Sequence, residues 1–413
     1  MTKKIEVLDA LMGTGKTTAI INWMVANPHN KYLYVSPMLA EVEERIPFEC
    51  AALEFVFPTT EHHKTKSLHL LELMIEGRNI AFTHSLFQDL SKLHLSRIER
   101  EGYILVIDEE VGLIERYNGV YKKGDITSLE AAKHLCVDEG SLGLVRWLWD
   151  DIEDETAYSK LKRLCDMEML YCAKRSRDMM VIQLPMALVQ SAYRTIVLTY
   201  LFEGSVMESF LKLRGVEIVP FDEVKLMKDP VLVKQQAKGL INLCTTKSIQ
   251  ALPKYSLSST WYSLNATKEQ LTALGKAIYS AYRKYDSQDV ILTLPKTSTT
   301  KKVGNTAKNN SRYAIYRYVS VDEVFLYCSA RATNDYAHKK VAIHAYNRYI
   351  NTVVTAYLQD YGRDLNAIPS DDQFALAEML QWLWRTQIRD DKPIDVYILS
   401  HRMLHLLSRW LEE

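Results

Sequence analysis

Two short stretches of this sequence combine residue types and spacings that do chemistry. The first is A-L-M-G-T-G-K-T-T at 10 to 18. Glycines at 13 and 15 let the backbone turn tightly, so that amide N–H groups at the start of a helix face one point, where the helix dipole also favours negative charge. Lys16 adds a cation, and Thr17 adds a hydroxyl of the hard-oxygen type that Mg²⁺ prefers. Met12, Gly13, Thr14, Gly15, Lys16, Thr17 and Thr18 thus form a phosphate cradle, and the implied ligand is ATP with Mg²⁺. The pattern G-x-x-x-x-G-K-[ST] is met except that Ala10 stands at the first glycine. The second stretch is Y-I-L-V-I-D-E-E at 103 to 110, an apolar strand ending in carboxylates. Asp108 is placed to hold Mg²⁺ through water together with Thr17, and Glu109 to polarise an attacking water. A strand ending in acids could by itself be a solvated turn; behind a phosphate loop it completes a hydrolytic site.

These residues need a scaffold that brings strand ends together. The first half alternates β-rich runs (IEVLDA from 5, YLYVSP from 32, NIAFTH from 79, YILVIDEE from 103, TIVLTY from 195 and VEIVPF from 216) with amphipathic runs. This spacing predicts a parallel, doubly wound α/β sheet, and the lack of polar alternation fits strands covered on both faces. Between about 112 and 190 the alternation stops. SLEAAKHLC, SLGLVRWLWDDI and AYSKLKRLCDMEMLYCAKR read as a helical insertion, either a packing layer or a docking subdomain. After Phe221, DEVKLMKDPVLVKQQAKG reads as a linker, so that 1–225 forms one lobe and 226–413 a second α/β lobe with strands at VILTLP, VFLYCS and DVYILS. Residues 296 to 312, with five cations and no carboxylate, read as a mobile loop.

Composition narrows the class. The chain has 413 residues, 47% hydrophobic and 25% charged, and formal net charge zero, so any nucleic acid must meet a local basic groove rather than overall charge. No apolar run approaches the roughly 20 residues that span a bilayer. The early first strand leaves no room for a signal peptide, which points to a cytoplasmic protein. Six scattered cysteines without C-x-x-C spacing argue against a disulfide framework or a zinc site.

With these motifs in place, the sequence resembles superfamily 2 helicases of the DEAD/DEAH-like kind, closest to the compact helicases of bacteriophages, and the resemblance spans nearly the whole chain. An alanine-first A-x-x-G-x-G-K-T loop is usual there, and D-E-E-V at 108 to 111 is similar to the DExx box. Y-V-S-P-M-L-A at 34 to 40 resembles motif Ia, F-T-H at 82 to 84 the Thr-His segment, and V-L-T-Y-L-F-E-G-S at 197 to 205 motif III. In the second lobe, which should carry motifs IV to VI, S-A-R-A-T-N-D-Y at 329 to 336 is similar to motif V and Q-W-L-W-R-T-Q-I-R at 381 to 389 to motif VI. Two departures stand out: in motif VI, Trp384 replaces the glycine and the second arginine falls one residue late, at Arg389; and the helical insertion lies between the DExx box and motif III, where relatives of the RNA type have far fewer residues. There is also no room ahead of the first strand for the glutamine motif that reads adenine in DEAD-box proteins.

The resemblance implies two RecA-like P-loop lobes with ATP hydrolysed in the cleft between them, and a helicase or translocase acting on single-stranded or forked DNA, RNA not being excluded, in replication or recombination. The insertion could dock a replication protein. Ser36, Thr83 and His84 of the first lobe and Arg331, Thr333 and Asn334 of the second are the implied strand contacts, through phosphate rather than base. Arg385 and Arg389, four apart on a run read as helical, are both candidates for the arginine finger, with Gln381 one turn earlier orienting water. Trp261 and Tyr262 could stack a base or fill the core. Two other readings suit the P-loop: an ATP-dependent DNA clamp or origin-binding scaffold that does not unwind, and a nucleoside kinase.

Overall fold

The structure is a computed structural model that describes residues 4–61, 63–119, 123–149, 158–295, 300–303, 306–309, 324–328 and 335–413. Runs rich in β-branched and aliphatic residues form strands. In chain order they are β1 (Ile5–Asp9), β2 (Tyr32–Ser36), β3 (Ile80–Thr83), β4 (Ile104–Asp108), β5 (Ile114–Arg116), β6 (Leu135–Asp138), β7 (Leu144–Trp147), β8 (Leu170–Ala173), β9 (Ser176–Gln183), β10 (Arg194–Thr199), β11 (Ile218–Pro220), β12 (Ile241–Cys244), β13 (Val290–Thr293), β14 (Thr300–Val303), β15 (Thr306–Asn309), β16 (Val341–His344) and β17 (Ile394–Ile398). Contacts divide the chain into two units. The first holds Met1–Ala10, Lys16–Lys225 and Ile350–Ser370; the second holds Leu11–Gly15, Leu226–Tyr349 and Asp371–Glu413. The second half of the chain is therefore not one unit, because Ile350–Ser370 packs with the first.

The first unit is built on a six-stranded sheet in the order β11-β1-β10-β4-β2-β3, parallel throughout. All five residues of β2 are buried, as a strand covered on both faces requires. Parallel alignment puts the last residue of each strand at one edge. Asp9 lies opposite Thr199, Leu198 opposite Asp108, and Ser36 opposite Thr83. In open α/β sheets that carboxyl edge is where ligands bind.

The expected helical insertion is corrected. Between β4 and β10 lies a five-stranded antiparallel sheet in the order β5-β9-β8-β7-β6, with the short helices Asp125–Ala131 and Ser159–Asp166 beside it. Stretches read as helical contain L-V-R-W, paired with β6, and L-Y-C-A, paired with β9. Four-residue strands are too short to show a period of two, and flanking turns break the helical one: Gly143 takes φ +79° just before β7. Ile126, Leu129, Leu161 and Cys165 pack on Val145, Leu170, Cys172 and Met180 to form this sheet's own core. The helix Thr352–Gly362, from the returning segment, packs against β5, β8 and β9. There the Tyr357 hydroxyl donates to the Leu142 carbonyl at 2.7 Å, and Arg175 pairs with Asp360 at 2.7 Å.

The second unit holds a four-stranded parallel sheet, β12-β17-β16-β13, under a core that includes Leu271, Leu274 and Ile278 of the helix Lys268–Tyr282. Trp261 and Tyr262, candidates for base stacking, belong to this core. Tyr262 is fully buried with its hydroxyl on the Ala345 carbonyl at 2.6 Å, and Trp261 stacks on Tyr255. The stretch read as a mobile loop contains the antiparallel pair β14 and β15, where Thr300, Val303 and Thr306 favour extended backbone. No helix among the described residues is long and apolar enough to cross a membrane.

Gly143 shows how closely the insertion is packed: a Cβ there would overlap the Cys172 carbonyl oxygen and the Tyr361 hydroxyl, at a backbone angle that side chains rarely adopt. Gly143→Ala should therefore destabilise the protein by about 2–4 kcal/mol, read as a lowered urea midpoint.

Candidate active site

The glycine-containing loop at 10 to 15 leaves β1 at Asp9 and enters the helix Lys16–Ala26. Gly13 (φ +80°) and Gly15 (φ +84°) supply the two left-handed turns that a side chain would strain. The Lys16 ammonium donates to the Ala10 carbonyl at 2.5 Å. Burial lowers its pKa from the usual lysine value, opposed by the negative charges of Asp108, Glu109 and Asp9. Three carboxylates around one desolvated cation form a site short of positive charge once an anion enters, so a phosphate group and a divalent cation together suit it better than phosphate alone.

Asp108 ends β4. Its Oδ2 accepts from the Thr17 hydroxyl at 3.3 Å and from the Tyr34 hydroxyl at 2.6 Å. Burial, followed by the charge of Asp108, pushes the Tyr34 pKa well up, so Tyr34 stays a neutral donor. Glu109, with φ +64°, leaves the strand in the left-handed region, which is uncommon outside glycine and is held here by its amide on the Leu198 carbonyl at 2.9 Å. β10, between the strands of Asp9 and Asp108, ends in Thr199, whose hydroxyl donates to Glu110 at 3.1 Å. Asp9 accepts the amides of Leu201 and Phe202 at 2.9 and 3.0 Å, which fixes the turn after β10. On a single π-helical turn, Glu41–Arg45, the Arg45 guanidinium binds Glu41 at 3.0 Å and the Thr18 hydroxyl at 3.0 Å.

Of the residues expected from the sequence, Lys16, Thr17, Thr18, Asp108 and Glu109 are brought to one edge of the sheet. Asp9, Tyr34 and Arg45 join them unforeseen. Asp9 carried a signal, as the acid that ends the strand before the loop; Tyr34 and Arg45 carried none. Ser36, Thr83 and His84 also reach this edge, but their polar atoms are engaged locally. Ser36 is fully buried and accepts the Met38 amide at 3.1 Å, Thr83 accepts the Leu86 amide at 3.4 Å as a helix cap, and His84 Nε2 donates to the Asp108 carbonyl at 2.9 Å. Burial of Ser36 corrects its assignment as an open strand contact. Arg331, Thr333 and Asn334 lie outside the described residues.

Leu11–Gly15 belongs by its contacts to the second unit, where the Thr14 carbonyl accepts the amides of Met227 and Lys228 at 3.0 and 3.2 Å. Gly13 faces Trp384: a Cβ at 13 would stand 3.3 Å from the indole nitrogen. A cleft in this unit is lined by Gly13, Lys228, Trp384, Arg389 and Asp391, with Lys228 on Asp391 at 2.8 Å. Met12 is half-buried, as is Gln381 on the helix Asp371–Leu383. The expected single helical face for Arg385 and Arg389 is corrected. The helix ends at Leu383, because the Thr386 hydroxyl donates to the Leu383 carbonyl at 2.7 Å and its backbone is extended; a 3-10 turn, Gln387–Asp390, follows. Arg385 is 8% exposed, whereas Arg389 is open to solvent.

Residues 235–411 match the family model of the YonV C-terminal Rossmann-like domain. The chain is 26% identical over 435 residues, covering 99% of both, to the SPbeta prophage-derived uncharacterized protein YonV of Bacillus subtilis (strain 168). Among solved structures it is similar to Xpd4 of S. tokodaii (12% identity, 98% of this chain and 94% of that one, TM-score 0.47). It is also similar to a Dbp5 variant of S. cerevisiae bound to RNA and ADP BeF3 (11%, 100% and 83%, TM-score 0.34). The α/β class read from the sequence, with parallel sheets, holds for both units.

The two arginines should separate by experiment. Arg385→Ala should cost about 1–3 kcal/mol of stability, as truncation of a long buried side chain does. Arg389→Ala should stay within about 0.5 kcal/mol of wild type in the same urea titration.

Proposed function

We propose that this protein is an ATP hydrolase driven by nucleic acid, of the helicase or translocase kind. The observation that carries the reading is the carboxyl edge of the first sheet. It sets a P-loop lysine, the Thr17–Asp108 pair and a glutamate in strained left-handed backbone side by side. The residues fit the two groups the reading requires. Gly13 and Gly15 keep Cβ atoms out of the loop at the start of an eleven-residue helix, and Thr17 Oγ1 and Asp108 are the hard oxygens that Mg²⁺ takes. When bound, Mg²⁺ would neutralise phosphate charge as a Lewis acid.

The chain's own groups do the rest. Loop amides and the Lys16 ammonium hold the phosphate oxygens. Thr17 and Asp108 would hold the cation, and the Glu109 carboxylate orients water and accepts its proton. Arg389 is the arginine that supplies transition-state charge: it is exposed, and it lines the same cleft as Gly13. Arg385, being buried, positions the turn. Cycles of binding and release by the two lobes would move a strand, DNA being the proposed partner and replication or recombination the proposed setting.

Steady-state hydrolysis tests this. ATP turnover should rise when single-stranded DNA is added, and Lys16→Ala should abolish it. Glu109→Gln should lower it by about 10²–10⁴-fold while ATP is still retained. Arg389→Ala should lower it by about 10³-fold or more without loss of stability. DNA-independent turnover, or full activity in Lys16→Ala, would overturn the reading. Product in a strand-displacement assay separates a helicase from a clamp.

A further inference from the structure

We propose that Tyr34 is a positioning residue that sets the metal affinity of the P-loop site by fixing the Asp108 carboxylate; the proposal rests on the hydrolase reading above. Tyr34 lies opposite Val106 in the β2–β4 ladder. A strand's side chains alternate faces, so Tyr34, Val106 and Asp108 share one face and the phenol reaches the carboxylate two residues on. The hydroxyl lies 2.6 Å from Asp108 Oδ2, within the range of a charge-assisted O–H···O⁻ bond, and Tyr34 is fully buried.

The same oxygen accepts from Thr17 at 3.3 Å. Thr17 is the group that must turn away to bind a cation. Without Tyr34, that movement would strip Oδ2 of this donor and let the carboxylate rotate after it. With Tyr34 in place, Oδ2 stays held and Oδ1 keeps its direction. A buried phenol needs an acceptor wherever it sits, and a backbone carbonyl would meet that need. Here the acceptor is the acid that faces the P-loop threonine. Hydrogen-bond partners of this kind usually change metal affinity by 10- to 100-fold, a scale on the order of what the test must resolve.

Tyr34→Phe removes only the hydroxyl. Mn²⁺ serves as the probe, with its free concentration read by electron paramagnetic resonance at saturating ADP, beside thermal melting and metal-free ADP binding. The expected result is a Mn²⁺ Kd about tenfold or more weaker in Tyr34→Phe, with Tm and metal-free ADP affinity close to wild type. An unchanged Mn²⁺ Kd overturns the proposal and leaves the hydrolase reading standing. A variant that unfolds, or that loses ADP affinity without metal in proportion, also overturns it, since the hydroxyl would then be structural. If wild type shows no ADP-dependent Mn²⁺ binding, the hydrolase reading falls first and takes the proposal with it.

Discussion

A desolvated ammonium held among carboxylates is the constraint on which the rest of this structure depends. Burial at the edge of the first sheet lowers the Lys16 pKa, and the charges of Asp108, Glu109 and Asp9 oppose that shift. Groups of this charge and burial persist only when each is paired or hydrogen-bonded. The surroundings meet that demand at two of the carboxylates. Asp9 is bound by two amides, Asp108 by two hydroxyls, and the Glu109 amide by a neighbouring strand.

Strand order makes this arrangement possible. Placing β10 between β1 and β4 brings a threonine-ended strand between those that end in Asp9 and Asp108. The turn after β10 is tied to Asp9, so the segment that resembles motif III is anchored to the strand end that leads into the loop at 10 to 15. The Ser370 amide donates to the Gly204 carbonyl at 2.8 Å in that same segment, and the helix Asp371–Leu383 begins one residue later. The returning stretch Ile350–Ser370 thus ends on the turn that follows β10.

What was legible in the sequence was what is local. The loop at 10 to 18 and the strand ending at Asp108 carry their residue patterns within a few positions, and the strand, loop and helix form where the pattern places them. The insertion is not legible because β6, β7 and β8 span only four residues each, and Leu170–Ala173 or Leu144–Trp147 inside longer apolar stretches mimic a helical stripe. The run from Gln381 to Arg389 was read as one helix because nothing in its periodicity shows that Thr386 will cap it. Tyr34 could not be found at all. Its partner lies 74 residues away, and only the β2–β4 pairing brings them together. The return of Ile350–Ser370 to the first unit is likewise a tertiary choice, made by Tyr357 and Asp360 against the inserted sheet.

The central claim is that the edge around Lys16 is a nucleotide site, and calorimetric titration with a non-hydrolysable ATP analogue tests it most directly. The account predicts one nucleotide per chain, bound more tightly with Mg²⁺ present and lost in Lys16→Ala. Heat of binding that is absent from wild type, or that survives the lysine substitution unchanged, would contradict it.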